Sequence, residues 1–190
     1  MPTGEIDTAL IRRAAISLAQ GGLIAYPTEG VWGLGCDPAN EEVVGRLLRL
    51  KSRPVEKGLI LVAGGLEQLT PYVASLPDKK SLLVDHGRPV TWVVSHGGRC
   101  PDWLSGGRDT LAIRLSSHPV ICALCQEFGA PLVSTSANPA GADPAMTAKE
   151  VNNYFSDLID VMVEGDLGGE NGASEIRDFQ TGKILREASS

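Results

Sequence analysis

The sequence predicts an α/β protein with a twisted, mixed and open sheet flanked by helices, in a single domain over residues 1–190. Two observations support this. Short apolar runs of the strand type alternate along the whole chain with segments of helical periodicity. The 190-residue chain is 43% hydrophobic and 21% charged, the composition of a globular protein with a substantial core, and it has no internal repeat.

The first third of the chain predicts two helices and two buried strands. Asp7 caps a helix that ends at Gly21, and Asn40 caps the next one. The glycine-containing stretch 28–38 is predicted to be a loop. Two short apolar runs are predicted to be buried strands, at 23–26 and 59–62.

The remaining chain continues the alternation. Helical patterns cover 66–69 and 76–84, Pro119 opens a further helix, and Thr147 with Glu150 forms the capping box of another. Further strands are predicted at 90–94, 111–115, 131–133 and 158–163, with two short ones around Gly182.

Composition excludes several classes of protein. The net charge of −6 argues against a general nucleic-acid coat, which is normally basic overall. No apolar run approaches the ~20 residues that cross a bilayer. The first residues lack the features of a signal peptide, so we expect a cytoplasmic protein without a membrane partner.

Cysteine and histidine give no metal signature. Cys122 and Cys125 form a C-x-x-C pair on a predicted helix, where core packing is favoured over redox chemistry or metal binding. The three histidines lack metal-ligand spacing, and His118, just before Pro119, favours a structural role. We expect no protein-held metal.

A basic segment, Lys51-Ser52-Arg53-Pro54, is the strongest functional signal. Pro54 disfavours the helical conformation for Arg53, which predicts an extended segment with Lys51 and Arg53 on one face and Lys57 close behind. Such a pair suits a polyanion, most simply a nucleoside triphosphate. The alternative is a solvated basic surface. No P-loop motif is present.

Three other segments are unusually polar for their positions. Thr28 and Glu29 follow an apolar strand, where α/β sheets bind ligands; the alternative is a simple turn. The run 134–138, with four hydroxyl or amide side chains, needs hydrogen-bond partners and is a binding loop or a turn. Arg114 lies within an apolar strand and should face a carboxylate or an edge, in a site or in a structural ion pair.

Taken together, these segments resemble the Sua5/YrdC/YciO family, most closely its short bacterial members of the TsaC/YrdC type. The resemblance extends from Leu23 to Arg186 in matching order and spacing. Its most specific parts are Tyr26-Pro27-Thr28-Glu29, Gly33-Leu34-Gly35-Cys36-Asp37, Leu50-Lys51-Ser52-Arg53-Pro54, Lys57-Gly58-Leu59-Ile60-Leu61, Ser134-Thr135-Ser136-Ala137-Asn138 and Ser174-Glu175-Ile176-Arg177-Asp178.

The resemblance implies a concave, basic cavity and a threonylcarbamoyl-AMP synthase. Such enzymes convert L-threonine, bicarbonate or CO2, and ATP into threonylcarbamoyl-adenylate and pyrophosphate, with Mg2+ held mainly through the phosphates. The product supplies the N6-threonylcarbamoyl group of an adenosine in tRNA. Other proteins perform the transfer to tRNA.

The resemblance also implies residue roles. Lys51 and Arg53 would be the catalytic residues, which supply positive charge to the reaction. Two sets of residues would bind the substrates ATP and threonine. The implied ATP ligands are Lys51, Arg53, Lys57, Thr110, Ser136, Asn138 and Arg186. The implied threonine ligands are Thr28, Arg114, Ser134 and Ser174. No general base stands out in the sequence.

One departure and two alternatives accompany this assignment. Family members commonly have W-P-G-P-V-T where this chain has His86-Gly87-Arg88-Pro89-Val90-Thr91, which changes a local turn. The first alternative is a ribosome-maturation module that binds double-stranded RNA or tRNA, with steeply salt-dependent affinity. The second is a YciO-type paralogue without strong synthase activity.

Overall fold

The computed structural model describes residues 6–76, 82, 90–170 and 172–188. Within these residues, nine strands form a single sheet. The α-helices are α1 (Thr8–Ala19), α2 (Glu41–Leu50), α3 (Asp102–Ser105), α4 (Pro119–Phe128) and α5 (Ala148–Phe155), with 3-10 turns at Val55–Lys57, Leu66–Leu69 and Ser156–Leu158. The strands are β1 (Ile24–Pro27), β2 (Trp32–Cys36), β3 (Ile60–Ala63), β4 (Val90–Ser95), β5 (Thr110–Leu115), β6 (Leu132–Ser136), β7 (Val161–Met162), β8 (Glu175–Asp178) and β9 (Ile184–Arg186).

The sheet is mixed, as predicted. Its strand order is β7-β1-β2-β6-β3-β5-β4-β8-β9. Three neighbouring pairs are parallel, namely β1 with β7, β3 with β5 and β4 with β8, and the other pairs are antiparallel. Strands distant in sequence, β2, β6, β3 and β5, therefore lie side by side at the centre.

The predicted helix starts are confirmed. The Asp7 carboxylate accepts hydrogen bonds from the backbone N–H groups of Ala9 and Leu10, and Asn40 caps α2 in the same manner. Thr147 and Glu150 form the predicted capping box at α5, and Pro119 opens α4. These caps satisfy backbone donors that a helix start leaves without partners.

The prediction that residues 28–38 form a loop is wrong, because β2 occupies Trp32–Cys36 within it. The glycines that suggested a loop permit close packing instead. A Cβ atom on Gly35 would come within 2.7 Å of the Val133 carbonyl oxygen and 2.8 Å of the Tyr26 ring. Glycine within a strand therefore marks a close approach here.

Two apolar clusters form the core, one on each side of the sheet. Cys125, on α4, packs in the second cluster with residues of α1, as predicted for it, whereas Cys122 of the same C-x-x-C pair is only partly buried. All four cysteines are free thiols. No three His, Cys, Asp or Glu side chains of the described residues could together hold a metal ion. Among the same residues, no helix is long and apolar enough to cross a membrane.

The remaining predictions differ in detail. The pattern at 66–69 forms a 3-10 turn, and the strand predicted at 158–163 is confined to Val161–Met162. The two tail strands, β8 and β9, flank Gly182 as predicted. Most of the helix predicted at 76–84, and the family departure at 86–89, lie outside the described residues.

Candidate active site

Three cavities lie next to one another at the central strands, and Arg53 lines all of them. We call them the inner cavity, which contains Thr28 and Arg114, the loop cavity, which contains Lys51 and Asn138, and the outer cavity, which contains Thr110 and Arg108. Each of the eleven site residues implied by the resemblance lines at least one of them.

Buried polar side chains form the walls of the inner cavity. The implied threonine ligands Thr28, Arg114, Ser134 and Ser174 are all buried, and all line this cavity. The Thr28 hydroxyl donates to the Val31 carbonyl at 2.7 Å, and the Ser174 hydroxyl lies 2.8 Å from that of Thr91. The topology explains this convergence, since Arg114 on β5 and Ser134 on β6 flank β3 from either side.

Arg114 faces a carboxylate, as predicted for a cation inside an apolar strand. Its Nη2 atom lies 3.6 Å from Oε2 of Glu29, and both side chains are almost fully buried. Burial opposes ionisation of Glu29, but the charge of Arg114 and the hydroxyl of Ser116 outweigh it, so the pKa of this carboxyl lies below its ordinary value. Oε2 of Glu29 and Nε of Arg114 are buried without a hydrogen-bond partner.

The basic segment is not extended, so that prediction is wrong. Lys51 caps the end of α2 in a helical conformation, and Ser52 adopts a left-handed φ of 49°. The N–H of Arg53 bonds the Leu48 carbonyl at 2.9 Å, and that of Ser52 bonds the Arg49 carbonyl at 3.0 Å. This is the Schellman pattern of helix termination, which Pro54 follows. Lys51 and Arg53 nevertheless both line the loop cavity.

Lys51 binds the polar loop that follows β6. Its ammonium donates to the carbonyl oxygens of Ser136 and Asn138, the latter at 2.7 Å, and to the Asn138 side chain at 3.2 Å. The Ser136 hydroxyl bonds the same side-chain oxygen, and the Asn138 amide donates to Ala142. Three N–H donors thus meet three protein oxygens. Burial, and then the charge of Arg53, lower the pKa of Lys51 to about 8.

This low pKa predicts a pH-dependent stability. The folded-state pKa of about 8 lies below the ordinary value of 10.5, so the unfolded chain binds more protons between these values. Stability should rise with pH across that window, by up to about 3 kcal/mol more in the wild type than in Lys51→Met. Urea unfolding at intervals from pH 7.5 to 10.5 measures the difference. Parallel curves for the two proteins would contradict the assignment.

Cations crowd the outer cavity. Arg53, Lys57, Arg108 and Arg186 line it, and none of its described lining residues is acidic. Burial and the charge of Arg108 lower the pKa of Arg53. Burial, followed by the charges of Arg114 and Arg53, lowers that of Arg186. Such mutual repulsion favours a polyanionic ligand.

Sequence reasoning missed two residues at this site. Arg108 lies over Gly58, and its guanidinium donates to the Glu56 carbonyl, so a side chain from the chain segment before β5 joins the basic cluster. Glu29 was noted as polar but received no role. Its partners, Arg114 and Ser116, lie more than eighty residues away, and no local pattern reveals such a pairing.

This arrangement can bind two kinds of ligand side by side. The inner cavity offers a buried cation and a buried carboxylate, the complement of an amino-acid zwitterion. The loop and outer cavities offer several cations and hydrogen-bonding groups, which suit a polyphosphate. Because Arg53 is common to all three walls, ligands in the inner and outer cavities would meet at its guanidinium.

The sequence matches curated proteins over nearly the whole length of both chains. The chain is 51% identical over 178 residues to a protein of Halorhodospira halophila named threonylcarbamoyl-AMP synthase, a match that covers 93% of both chains. It is 50% identical to the protein of the same name from Pseudomonas aeruginosa, over 92% of this chain and 95% of the relative.

Solved structures share the fold. Sua5 of P. abyssi, crystallised with L-threonine, has a TM-score of 0.86 at 29% identity, and the match covers 96% of this chain but 55% of that one. YciO of E. coli has a TM-score of 0.83 at 23% identity, over 100% and 93% of the two chains, which shows the fold alone. A family model described as "Telomere recombination" and named for Sua5, YciO and YrdC matches residues 17–188. The chain belongs to the Sua5/YciO/YrdC family.

Proposed function

We propose that this protein is a threonylcarbamoyl-AMP synthase, an enzyme of the nucleotidyltransferase type, which acts on L-threonine, bicarbonate or CO2, and ATP. The observation that carries the proposal is the adjacency of the two subsites. A buried cation–carboxylate pair, Arg114 with Glu29, lines a cavity that shares Arg53 with the cluster of cations around the outer cavity. Relatives that are 50–51% identical in sequence and are named threonylcarbamoyl-AMP synthase support the same activity.

Threonine would bind in the inner cavity. The Arg114 guanidinium has an unpartnered Nε and would bind the threonine carboxylate through two parallel hydrogen bonds from one of its edges. The hydroxyls of Thr28, Ser134 and Ser174 surround it and supply small donor-acceptor groups.

ATP would bind through the other two cavities. Arg53 and Lys57 line both of them, and Arg186 and Thr110 line the outer one. Lys51 would supply charge next to the phosphates while its ammonium holds Ser136 and Asn138 in position. Mg2+ would be held mainly by the phosphates, where it neutralises part of their charge.

The reaction requires positioning more than acid–base chemistry. The carbamate formed from threonine and CO2 attacks the α-phosphorus of ATP through its oxygen, and pyrophosphate leaves. Arg53 stands between the two subsites, where negative charge develops in the transition state. Enclosure by buried walls also protects the carbamate and the product from water.

The product would pass to other proteins that transfer its threonylcarbamoyl group to tRNA, in the cytoplasm. The direct test of the proposed function is pyrophosphate release by the purified protein. Release should require threonine, bicarbonate and ATP together. Absence of threonine-dependent ATP consumption would contradict the proposal and would favour a paralogue of the YciO type without strong synthase activity.

Replacing Thr28 with valine should weaken threonine binding selectively. The Thr28 hydroxyl donates to Val31 and keeps its lone pairs for a ligand, whereas valine has the same shape without that oxygen. We expect the apparent KM for threonine to rise about tenfold, the effect of about 1.4 kcal/mol, with the KM for ATP nearly unchanged. Steady-state pyrophosphate release measures both constants. An unchanged KM for threonine would remove Thr28 from the pocket.

A further inference from the structure

We propose that Glu29 binds the ammonium group of threonine and takes the proton that the amine must lose before it attacks CO2. This inference rests on the proposed function and assigns the proton acceptor that the sequence alone does not reveal. It concerns one oxygen atom, the buried Oε2 of Glu29, a residue that lines the inner cavity.

The two oxygens of this carboxylate have different surroundings. Oε1 accepts the hydroxyl proton of Ser116, and the Ser116 oxygen in turn accepts the backbone N–H of His118 at 3.0 Å. Oε2 is buried and has no hydrogen-bond partner. A buried ionised oxygen without a partner is costly, and an incoming ammonium group would satisfy it.

The neighbouring cation, Arg114, also has a nitrogen atom without a hydrogen-bond partner. Arg114 lies 3.6 Å from Oε2, too far for a hydrogen bond, and its Nε atom is also buried without a partner. An α-amino acid carries its carboxylate and its ammonium on one carbon atom, so the two groups are only a few bonds apart. The carboxylate would bind Arg114, and this places the ammonium next to Glu29.

The groups that face Glu29 are consistent with both proposed functions of its carboxylate, binding the ammonium group and accepting a proton from it. Arg114 on β5 is nearest, His118 at the start of α4 and Cys122 within α4 also interact with it, and Arg53 and Arg186 line the same cavity. In the free protein, burial opposes ionisation, yet Arg114 and Ser116 keep the pKa of the Glu29 carboxyl low, so it is ionised and attracts an ammonium. When the threonine carboxylate shares the charge of Arg114, the proton affinity of Glu29 rises.

One N–H proton of the threonine ammonium moves to Oε2 of Glu29, and the N–H bonding electrons stay on nitrogen as a lone pair. That lone pair forms the N–C bond to CO2, and the electrons of one C–O double bond move to oxygen. A second proton leaves the nitrogen to water, which yields the carbamate whose oxygen attacks ATP.

Glu29→Gln tests the proposal, with Glu164→Gln, an exposed acidic residue, as the matched control. At pH 7 we expect the kcat/KM for threonine to fall at least about 100-fold in Glu29→Gln, the usual size of general-base catalysis, and to stay at the wild-type level in the control. The KM for ATP should change less than about twofold in both.

The pH dependence separates a proton acceptor from a merely structural residue. As pH rises toward the amine pKa of free threonine, the fraction of threonine that is already deprotonated rises about tenfold per pH unit, and this fraction does not need a proton acceptor. The ratio of the wild-type kcat/KM for threonine to that of Glu29→Gln should therefore shrink about tenfold per pH unit. A ratio that does not change with pH, or full activity of Glu29→Gln, overturns the proposal. If the wild type itself shows no threonine-dependent pyrophosphate release, the proposed function fails instead.

A second variant keeps the proposal testable if Glu29→Gln does not fold. Ser116→Ala retains the carboxylate but removes the hydroxyl that lowers its pKa. The acidic limb of the kcat/KM profile for threonine should therefore move to higher pH. An acidic limb at the wild-type position overturns the role of Glu29.

Discussion

Replacing Arg53 with alanine is expected to reduce threonine-dependent pyrophosphate release about 1,000-fold, because arginines that stabilise charge in phosphoryl-transfer transition states contribute effects of this order. Arg53 lines all three cavities, its Nη2 atom is held by the Gly58 carbonyl at 2.8 Å, and its buried Nε has no partner. The guanidinium is thus held at Nη2 by the backbone, and its Nε has no partner within the protein.

The control variants distinguish position from charge. Arg49→Ala removes an exposed arginine from the last turn of α2 and should leave the rate unchanged. Arg53→Lys keeps the positive charge but loses the planar pair of donors, so it should recover only part of the activity. Equal rates for Arg53→Ala and Arg49→Ala would exclude Arg53 from the reaction centre.

Replacing Arg114 with methionine is expected to destabilise the fold by about 3–5 kcal/mol, because the buried Glu29 carboxylate loses its counter-ion. For a chain of this size, each kcal/mol lowers the Tm by about 2–4 °C, so the variant should melt roughly 10 °C lower. Threonine should raise the Tm of the wild type and have no effect on that of Arg114→Met, because only the wild type binds it.

A double variant separates the structural and the binding contributions. Combining Glu29→Gln with Arg114→Met removes both charges and should restore most of the lost stability, since the two residues are directly coupled. It should not restore the response to threonine. If threonine stabilises Arg114→Met as strongly as it does the wild type, Arg114 is not the carboxylate ligand.

The sequence predicted the framework of the fold from local signals. The helix caps at Asp7, Asn40 and Thr147 were identified correctly because capping depends on residues within one turn of each other. Strand β2 was missed because its glycines, Gly33 and Gly35, are selected by close packing against Tyr26 and β6, which only the assembled sheet reveals.

The sequence predicted residues that line the three cavities, but not the contacts among them. The residues implied by family resemblance converge on the three cavities, and their roles stay predictions. The conformation of the basic segment was predicted wrongly because Pro54 acts on one residue, whereas the end of α2 and the left-handed Ser52 set the direction of the chain. The pairing of Glu29 with Arg114 and Ser116 depends on strand order, which no local pattern specifies.

The order of the strands also determines when the site can form as the protein folds. The inner cavity takes residues from the segment after β1, from β5 and β6, and from Arg186 on β9, the strand at one edge of the sheet. Contacts between residues so distant in sequence form slowly, because the intervening chain must be ordered first. In a chain still being synthesised, the inner cavity therefore stays incomplete until β9 has joined the sheet, and we expect full substrate binding to report that the last strand is in place.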